Sequence, residues 1–175
     1  MKKKLLLILT ILLLVGCGKK EVNNTTDNLI TIKSYDEKFE VTAPDDWTNT
    51  LERGELNEAA DLEIYNKTDH KYFVALMESK EDITWNFEEY KKFVIEQNEK
   101  VYDTTFEEIN ETTINGKKAN YIEFKTTEGN TNIYMRIYLI ETDNYYGQLF
   151  IWTVYSKRND LNQEFNKIVE SFKEI

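Results

Sequence analysis

The chain has 175 residues, 22 Lys+Arg against 32 Asp+Glu, a formal charge of −10, and only one histidine and one cysteine. So acidic a surface is a poor partner for nucleic acid and is repelled by anionic headgroups. A single histidine cannot build a His-rich zinc site or a two-histidine dyad, and a single cysteine forms no internal disulfide. No metal and no cofactor is expected.

At the N-terminus Lys2, Lys3 and Lys4 precede an apolar run from Leu5 to Val15 that stops at Gly16-Cys17. A basic start, a short apolar core and a small residue before the cleavage point make a secretory signal peptide, too short to span a bilayer comfortably and without an amphipathic period. Leu14-Val15-Gly16-Cys17 resembles the bacterial lipobox. That resemblance implies removal of residues 1–16 and a lipid attachment at Cys17, with diacylglycerol and palmitate as the expected modifications. Acyl chains bind at about 0.8 kcal/mol per buried methylene, so two of them anchor stably. The expected location is therefore the cell membrane, lipid-anchored and facing outward. Loss of the three leader lysines takes the formal charge from −10 to −13. Lipidation also removes the thiol, so no Cys-His pair remains.

Residues 17–28, polar and nearly free of large apolar side chains, read as a flexible tether with a reach of about 35–40 Å when extended. The folded domain is expected over 29–175. Ile30-Thr31-Ile32 and Phe39-Glu40-Val41 alternate apolar and polar residues around a turn, the pattern of a half-buried hairpin that ends at the single proline, Pro44. Trp47 just beyond reads as a plug on the core. Thr48 to Asn57 reads as an excursion or short helix. Strands resume at 62–65 and 72–77, with His70 on an exposed loop between them.

The clearest helix follows Asn86, which with Glu89 forms a capping-box pattern. Phe87, Tyr90, Val94 and Val101, with Gln97, share one stripe, widened by Trp85 and Phe93. Strands are then expected from Phe106 to Ile114, through the tight Asn115-Gly116 turn to 119–124, and over 133–140 and 145–155. Tyr146, Phe150, Trp152 and Val154 alternate with Tyr145, Leu149, Ile151 and Tyr155, so this last strand is apolar on both faces and needs cover on both. A closing helix, capped by Asp160, buries Leu161, Phe165, Ile168, Val169 and Phe172. The expected fold class is α+β: a single, mainly antiparallel sheet of about six to seven strands flanked by helices on both faces.

A lipobox leader, a hairpin ending in Pro44-Asp45-Asp46-Trp47, the Ile114-Asn115-Gly116-Lys117-Lys118-Ala119 hairpin, aromatic strands and a closing Ile168-Val169-Glu170-Ser171-Phe172-Lys173 resemble the PsbP-like lipoproteins of Gram-positive bacteria. The resemblance implies the fold shared by the photosystem II extrinsic subunit and the nuclear Ran-binding proteins, which act by binding other proteins. It implies no photosystem role, since no manganese or chloride motif matches.

Chemistry is sparse. There is no G-x-S-x-G and no Gly-rich phosphate loop, and the adjacent pairs Asp45-Asp46, Glu88-Glu89 and Glu107-Glu108 point apart along strand or helix. No catalytic residue is expected. Tyr145, Tyr146 and Trp152 are the candidate stacking surface for a ligand or partner. The expected function is a monomeric, non-enzymatic binding domain for an envelope protein, peptide or glycan. The competing reading is a membrane-tethered hydrolase using paired carboxylates, which needs two acids facing one cleft.

Overall fold

A computed structural model describes residues 28–49 and 52–175, with backbone alone at 160–162. The leader, Cys17 and the tether as far as residue 27 fall outside the described residues. Seven antiparallel strands form the main sheet, in the order β3 (Thr48–Asn49), β4 (Leu62–Asn66), β5 (Lys71–Ser79), β9 (Tyr145–Val154), β8 (Thr131–Glu141), β7 (Lys117–Glu128) and β6 (Asn110–Ile114). A second, three-stranded sheet pairs β1 (Leu29–Lys33) with β2 (Phe39–Pro44) and β2 with β10 (Lys173–Glu174). The helices are α1 (Phe87–Tyr102) and α2 (Arg158–Ser171), the latter entered through a 3-10 turn at Tyr155–Lys157.

Strand β9 sits fourth of seven and divides its side chains between two apolar clusters. Leu149 and Ile151 join Phe73, Ala75 and Ile140 with Phe165, Ile168 and Val169 of α2 and Phe39 and Val41 of the small sheet. Tyr146, Phe150 and Trp152 join Val74, Met135 and Ile137 with Phe87, Tyr90 and Val94 of α1. The expectation of one sheet with helices on each side is thus corrected: there are two sheets, and the small one shares a cluster with α2. Its hairpin carries Ile32, Phe39 and Val41 into that cluster because alternation leaves all three on one face.

Local chemistry sets the helix ends. In α1 the Asn86 side chain accepts from the Glu89 N–H at 3.1 Å while Glu89 accepts from the Asn86 N–H at 3.0 Å. Asp103 closes the helix in the left-handed conformation. Hydrogen bonds from Lys118 and Lys91 hold the Glu88 carboxyl down at about 2. The buried stripe is Phe87, Tyr90, Val94 and Asn98, with Asn98 in place of the expected Gln97 and Val101. Asn98 is tolerated because its amide donates to the Val94 carbonyl at 2.9 Å and to Gln148 at 3.3 Å. Helix α2 starts at Arg158, so Asp160 lies within it rather than capping it. At its far end the Ser171 hydroxyl accepts from the Thr42 N–H at 2.7 Å, tying the helix to β2. Asn115 and Gly116 both take positive φ, as the tight turn demands. The strand expected from Phe106 begins only at Asn110.

No helix is described within 48–57, where a helix or excursion was expected; the described part past β3 is a loop organised by a buried carboxylate. Glu63, 0% exposed, accepts from the N–H groups of Gly54 (2.7 Å), Leu56 (2.8 Å) and Asn57 (2.7 Å). Its place in a strand hid this role, because strand alternation alone makes it look like a solvated position. Glu63→Ala leaves three backbone donors without their acceptor, each costing about 1–3 kcal/mol. Urea unfolding is expected to show a loss of about 3 kcal/mol or more, with Glu63→Gln intermediate; an unchanged midpoint contradicts the latch.

Candidate functional site

The richest polar constellation lies at the sheet end that carries the β4–β5 turn, on the face covered by α2. Lys71, at the start of β5, shares its face with Phe73 and Ala75 and is 5% exposed. Its ammonium donates to both Glu164 oxygens at 2.9 and 2.7 Å and lies 3.4 Å from Asp69. The Trp47 indole N–H donates to Glu164 at 2.6 Å, so one carboxylate of α2 binds the β5 cation and the plug residue together. Lys157 donates to the Asp69 carbonyl at 3.2 Å and lies 3.4 Å from its carboxylate. Asn66 donates to Asp46, which keeps an exposed edge. Burial nevertheless pushes the Asp46 carboxyl above its ordinary value; Lys71 opposes the rise, and Glu164 and Asp69 add to it.

Across α2 a second buried cation does similar work. Arg136 on β8, 8% exposed, donates to Glu123 at 2.7 and 3.1 Å, to the hydroxyls of Tyr134 (2.6 Å) and Tyr138 (3.0 Å), and to Asn166 of α2 at 2.8 Å. Burial works against ionisation of Glu123, but hydrogen bonds from Tyr134 and Arg136 take its carboxyl below the ordinary value. The two cations hold α2 from both flanks.

Beside this framework opens a cleft of about 540 Å³ lined by His70, Asn130, Thr131, Asn132, Val154, Tyr155 and Ser156. Three turns build it: the β4–β5 turn, the β7–β8 turn, and the passage from β9 into α2. His70 is half-buried, not exposed as its turn suggested, and its φ of 54° places it in the left-handed region. Arg158 lies 4.3 Å and Lys125 5.2 Å from the centroid of the Tyr155 ring. Arg158 also donates to the Tyr155 carbonyl at 3.3 Å.

The aromatic residues expected to form one surface are separated. Tyr145 packs against the α2-side cluster, whereas Tyr146 and Trp152 belong to the α1-side cluster. Trp152 is 1% exposed and stacks on Tyr72 at 5.1 Å, and Tyr146 stacks on Tyr90 at 5.0 Å. Strand parity had already put Tyr145 and Tyr146 on opposite faces. The exposed aromatics are instead Tyr35 and Trp85, the latter 40% exposed and 5.0 Å from Phe93, although the helical stripe had assigned it to the core.

The adjacent acid pairs do not converge. Asp45 accepts from Asn28, Glu89 belongs to the capping box, Glu88 binds two lysines, and Glu107 and Glu108 are exposed. A shallower groove at the end of α1 carries Glu96, Glu99 and Asp103, but Glu99 accepts the Phe106 N–H and Asp103 is the helix cap. Among the described residues no group of acidic, histidine or cysteine side chains is disposed to hold a metal, and no helix is long and apolar enough to cross a membrane.

No protein-family model matches the chain, and no curated protein matches it. Solved structures do. Cyanobacterial PsbP from Synechocystis superposes with a TM-score of 0.60 at 10% identity, over 93% of this chain and 99% of that one. The fold is PsbP-like. LpqN, a protein involved in cell envelope biogenesis of Mycobacterium tuberculosis, gives 0.54 at 13% identity over 86% of this chain and 92% of its own. A protein of Bacteroides thetaiotaomicron gives 0.55 at 16%, over 83% of this chain and 48% of that one. In this PsbP-like domain the α2 clamps and the cleft are features of the chain's own residues.

The raised Asp46 pKa means that the folded state holds that proton more tightly than the unfolded chain, so the group favours folding in acid and loses that contribution as pH rises through its folded pKa. Glu123 has the opposite sign, contributing at neutral pH and fading on acidification. Lys71→Met leaves Asp46, Asp69 and Glu164 without their central cation. It is expected to cost about 3 kcal/mol at pH 7, with the deficit shrinking on acidification as the raised Asp46 carboxyl protonates. Denaturant unfolding at pH 4 and pH 7 measures both, and a deficit independent of pH contradicts the assignment.

Proposed function

We propose that the chain is a non-enzymatic, extracytoplasmic lipoprotein, held on the outer face of a Gram-positive cell membrane through lipid on Cys17. Its folded domain captures an envelope ligand at the 67–70 end of the main sheet. Of the expected ligand classes, protein, peptide and glycan, the glycan fits best. One observation carries this reading: the cleft is lined by amide, hydroxyl and imidazole side chains, with Val154 and Tyr155 as its apolar walls and no acid among its lining residues. Hydroxyl-rich ligands are recognised by such convergent donors and acceptors, whereas glycoside hydrolysis needs two carboxylates across the bond. The envelope role of LpqN, a structure of the same fold, supports the location.

Isolated envelope polysaccharide is expected to bind the full chain, and Asn130→Ala/Asn132→Ala to weaken that binding about tenfold, one lost pair of hydrogen bonds being worth about 1–2 kcal/mol. Glu99→Gln, in the acidic groove, is expected to change nothing. Equal binding by the wild type and the asparagine variant overturns the site. Metabolic labelling with radioactive palmitate tests the anchor: Cys17→Ser loses the label if the lipid is there, and retention of label contradicts it.

A further inference from the structure

One wall residue of the cleft carries two cations in a strongly acidic protein. Lys125 and Arg158 both lie on the ring of Tyr155, at 5.2 and 4.3 Å, and Tyr155 is itself a wall of the cleft. Among the described residues neither cation has a carboxylate within ion-pair distance, although the chain carries 32 Asp+Glu against 22 Lys+Arg. Lys67, Lys71, Lys80, Lys91, Lys117, Lys118, Lys157 and Lys173 have such partners, and Lys92, Lys100 and Lys167 lack one among the described residues but do not lie on the Tyr155 ring. Of the nearby acids whose side chains are described, each is engaged or faces away. Asp69 is bound by Lys71 and Lys157, Glu123 by Arg136, and Glu128 alternates onto the α1 side of β7, opposite Lys125.

Placement runs against local preference too. Lys157 and Arg158 stand at the start of α2, the positive end of its dipole, where cations are unfavourable. No side chain caps that end at Lys157. Lys157 is balanced by Asp69, whereas Arg158 meets the ring and carbonyl of Tyr155, and broken local rules of this kind concentrate at functional sites. The stacked Tyr155 ring orients the guanidinium, whose planar fork matches a phosphate or carboxylate oxygen pair, and Lys125 adds a point charge from β7, two strands away from β9.

We infer that this cleft binds a phosphate group carried on a sugar or polyol, with Arg158 and Lys125 holding the phosphate and Asn130, Asn132, Ser156 and His70 the hydroxyl-bearing part. The inference rests on the glycan-binding reading above and names the charged group that the ligand bears. Phosphate is favoured over an extended anionic surface because these two cations gather on a single ring, that of Tyr155, while the chain as a whole, at −10, is repelled by such a surface.

The test uses the full chain in a non-ionic detergent, titrated with glucose 1-phosphate, glycerol 1-phosphate, unmodified glucose, and vesicles of phosphatidylglycerol or phosphatidylcholine, with amide NMR shifts as the readout. The phosphates are expected to shift residues 70, 130–132 and 154–158, to bind at least about tenfold more tightly than glucose, and to weaken with added salt. Lys125→Gln/Arg158→Gln is expected to abolish that preference at an unchanged thermal midpoint. Competition by phosphatidylglycerol but not phosphatidylcholine vesicles for the same residues supports the phosphate and assigns its source to lipid. Equal shifts by glucose and its phosphate, retained in the double variant, overturn the phosphate inference and leave the glycan reading standing. Shifts by envelope polysaccharide but by none of these phosphates overturn the inference alone; shifts by nothing overturn both.

Discussion

Everything in this fold follows from the double-sided burial of β9. Leu149 and Ile151 on one face, and Tyr146, Phe150 and Trp152 on the other, each contribute about 1.5–3 kcal/mol when removed from water. A strand of that kind is stable only between two covering layers. The layers are unlike: aromatic side chains of α1 meet the aromatics on one side, while α2 and the three-stranded sheet share the other. Gly147 lets β9 lie close to its neighbours, since the space a Cβ would take is filled by Met77 and Ile140. With a single cysteine and so no internal disulfide, this apolar framework carries the stability of the domain.

Upon that framework α2 is oriented by charge rather than by apolar contact alone. Lys71 on β5 and Arg136 on β8 reach Glu164 and Asn166 of the helix, one on each flank. Buried ion pairs are an inefficient source of stability because desolvation offsets much of the attraction. Their consequence here is positional: a helix fixed on both flanks presents its first turn, and the turn of Tyr155–Lys157 before it, in one place. The cleft borders that fixed turn and the start of the sheet, so its walls are set by the same bonds that dock α2.

The capping box of α1, the Asn115-Gly116 turn, the plug Trp47 and the two-faced β9 were legible in the sequence, because each rests on spacing over a few residues or on strict alternation. The hairpin of the small sheet was legible too, but its third strand was not, since that requires pairing Lys173 and Glu174 with Glu40 and Phe39 across nearly the whole chain. Glu63 escaped notice because its acceptors' partners are backbone N–H groups of a loop, which no side-chain pattern reports. The binding candidates suffered from adjacency: Tyr145 and Tyr146 are neighbours in sequence and therefore opposed in space. The cleft is assembled from three turns whose residues, His70, Asn130 and Tyr155, are remote in the chain and individually unremarkable. Only the PsbP-like topology brings them together.

The central claim is that an envelope ligand is held where the 67–70 turn, the β7–β8 turn and the start of α2 meet. Hydrogen–deuterium exchange of the full chain, with and without isolated envelope polysaccharide, tests it without assuming which side chains matter. Slowed exchange confined to residues 67–70, 129–132 and 154–159 is the result the account predicts. Slowing instead around Trp85 and Phe93, or along the edge strand β1, with these turns unaffected, contradicts it.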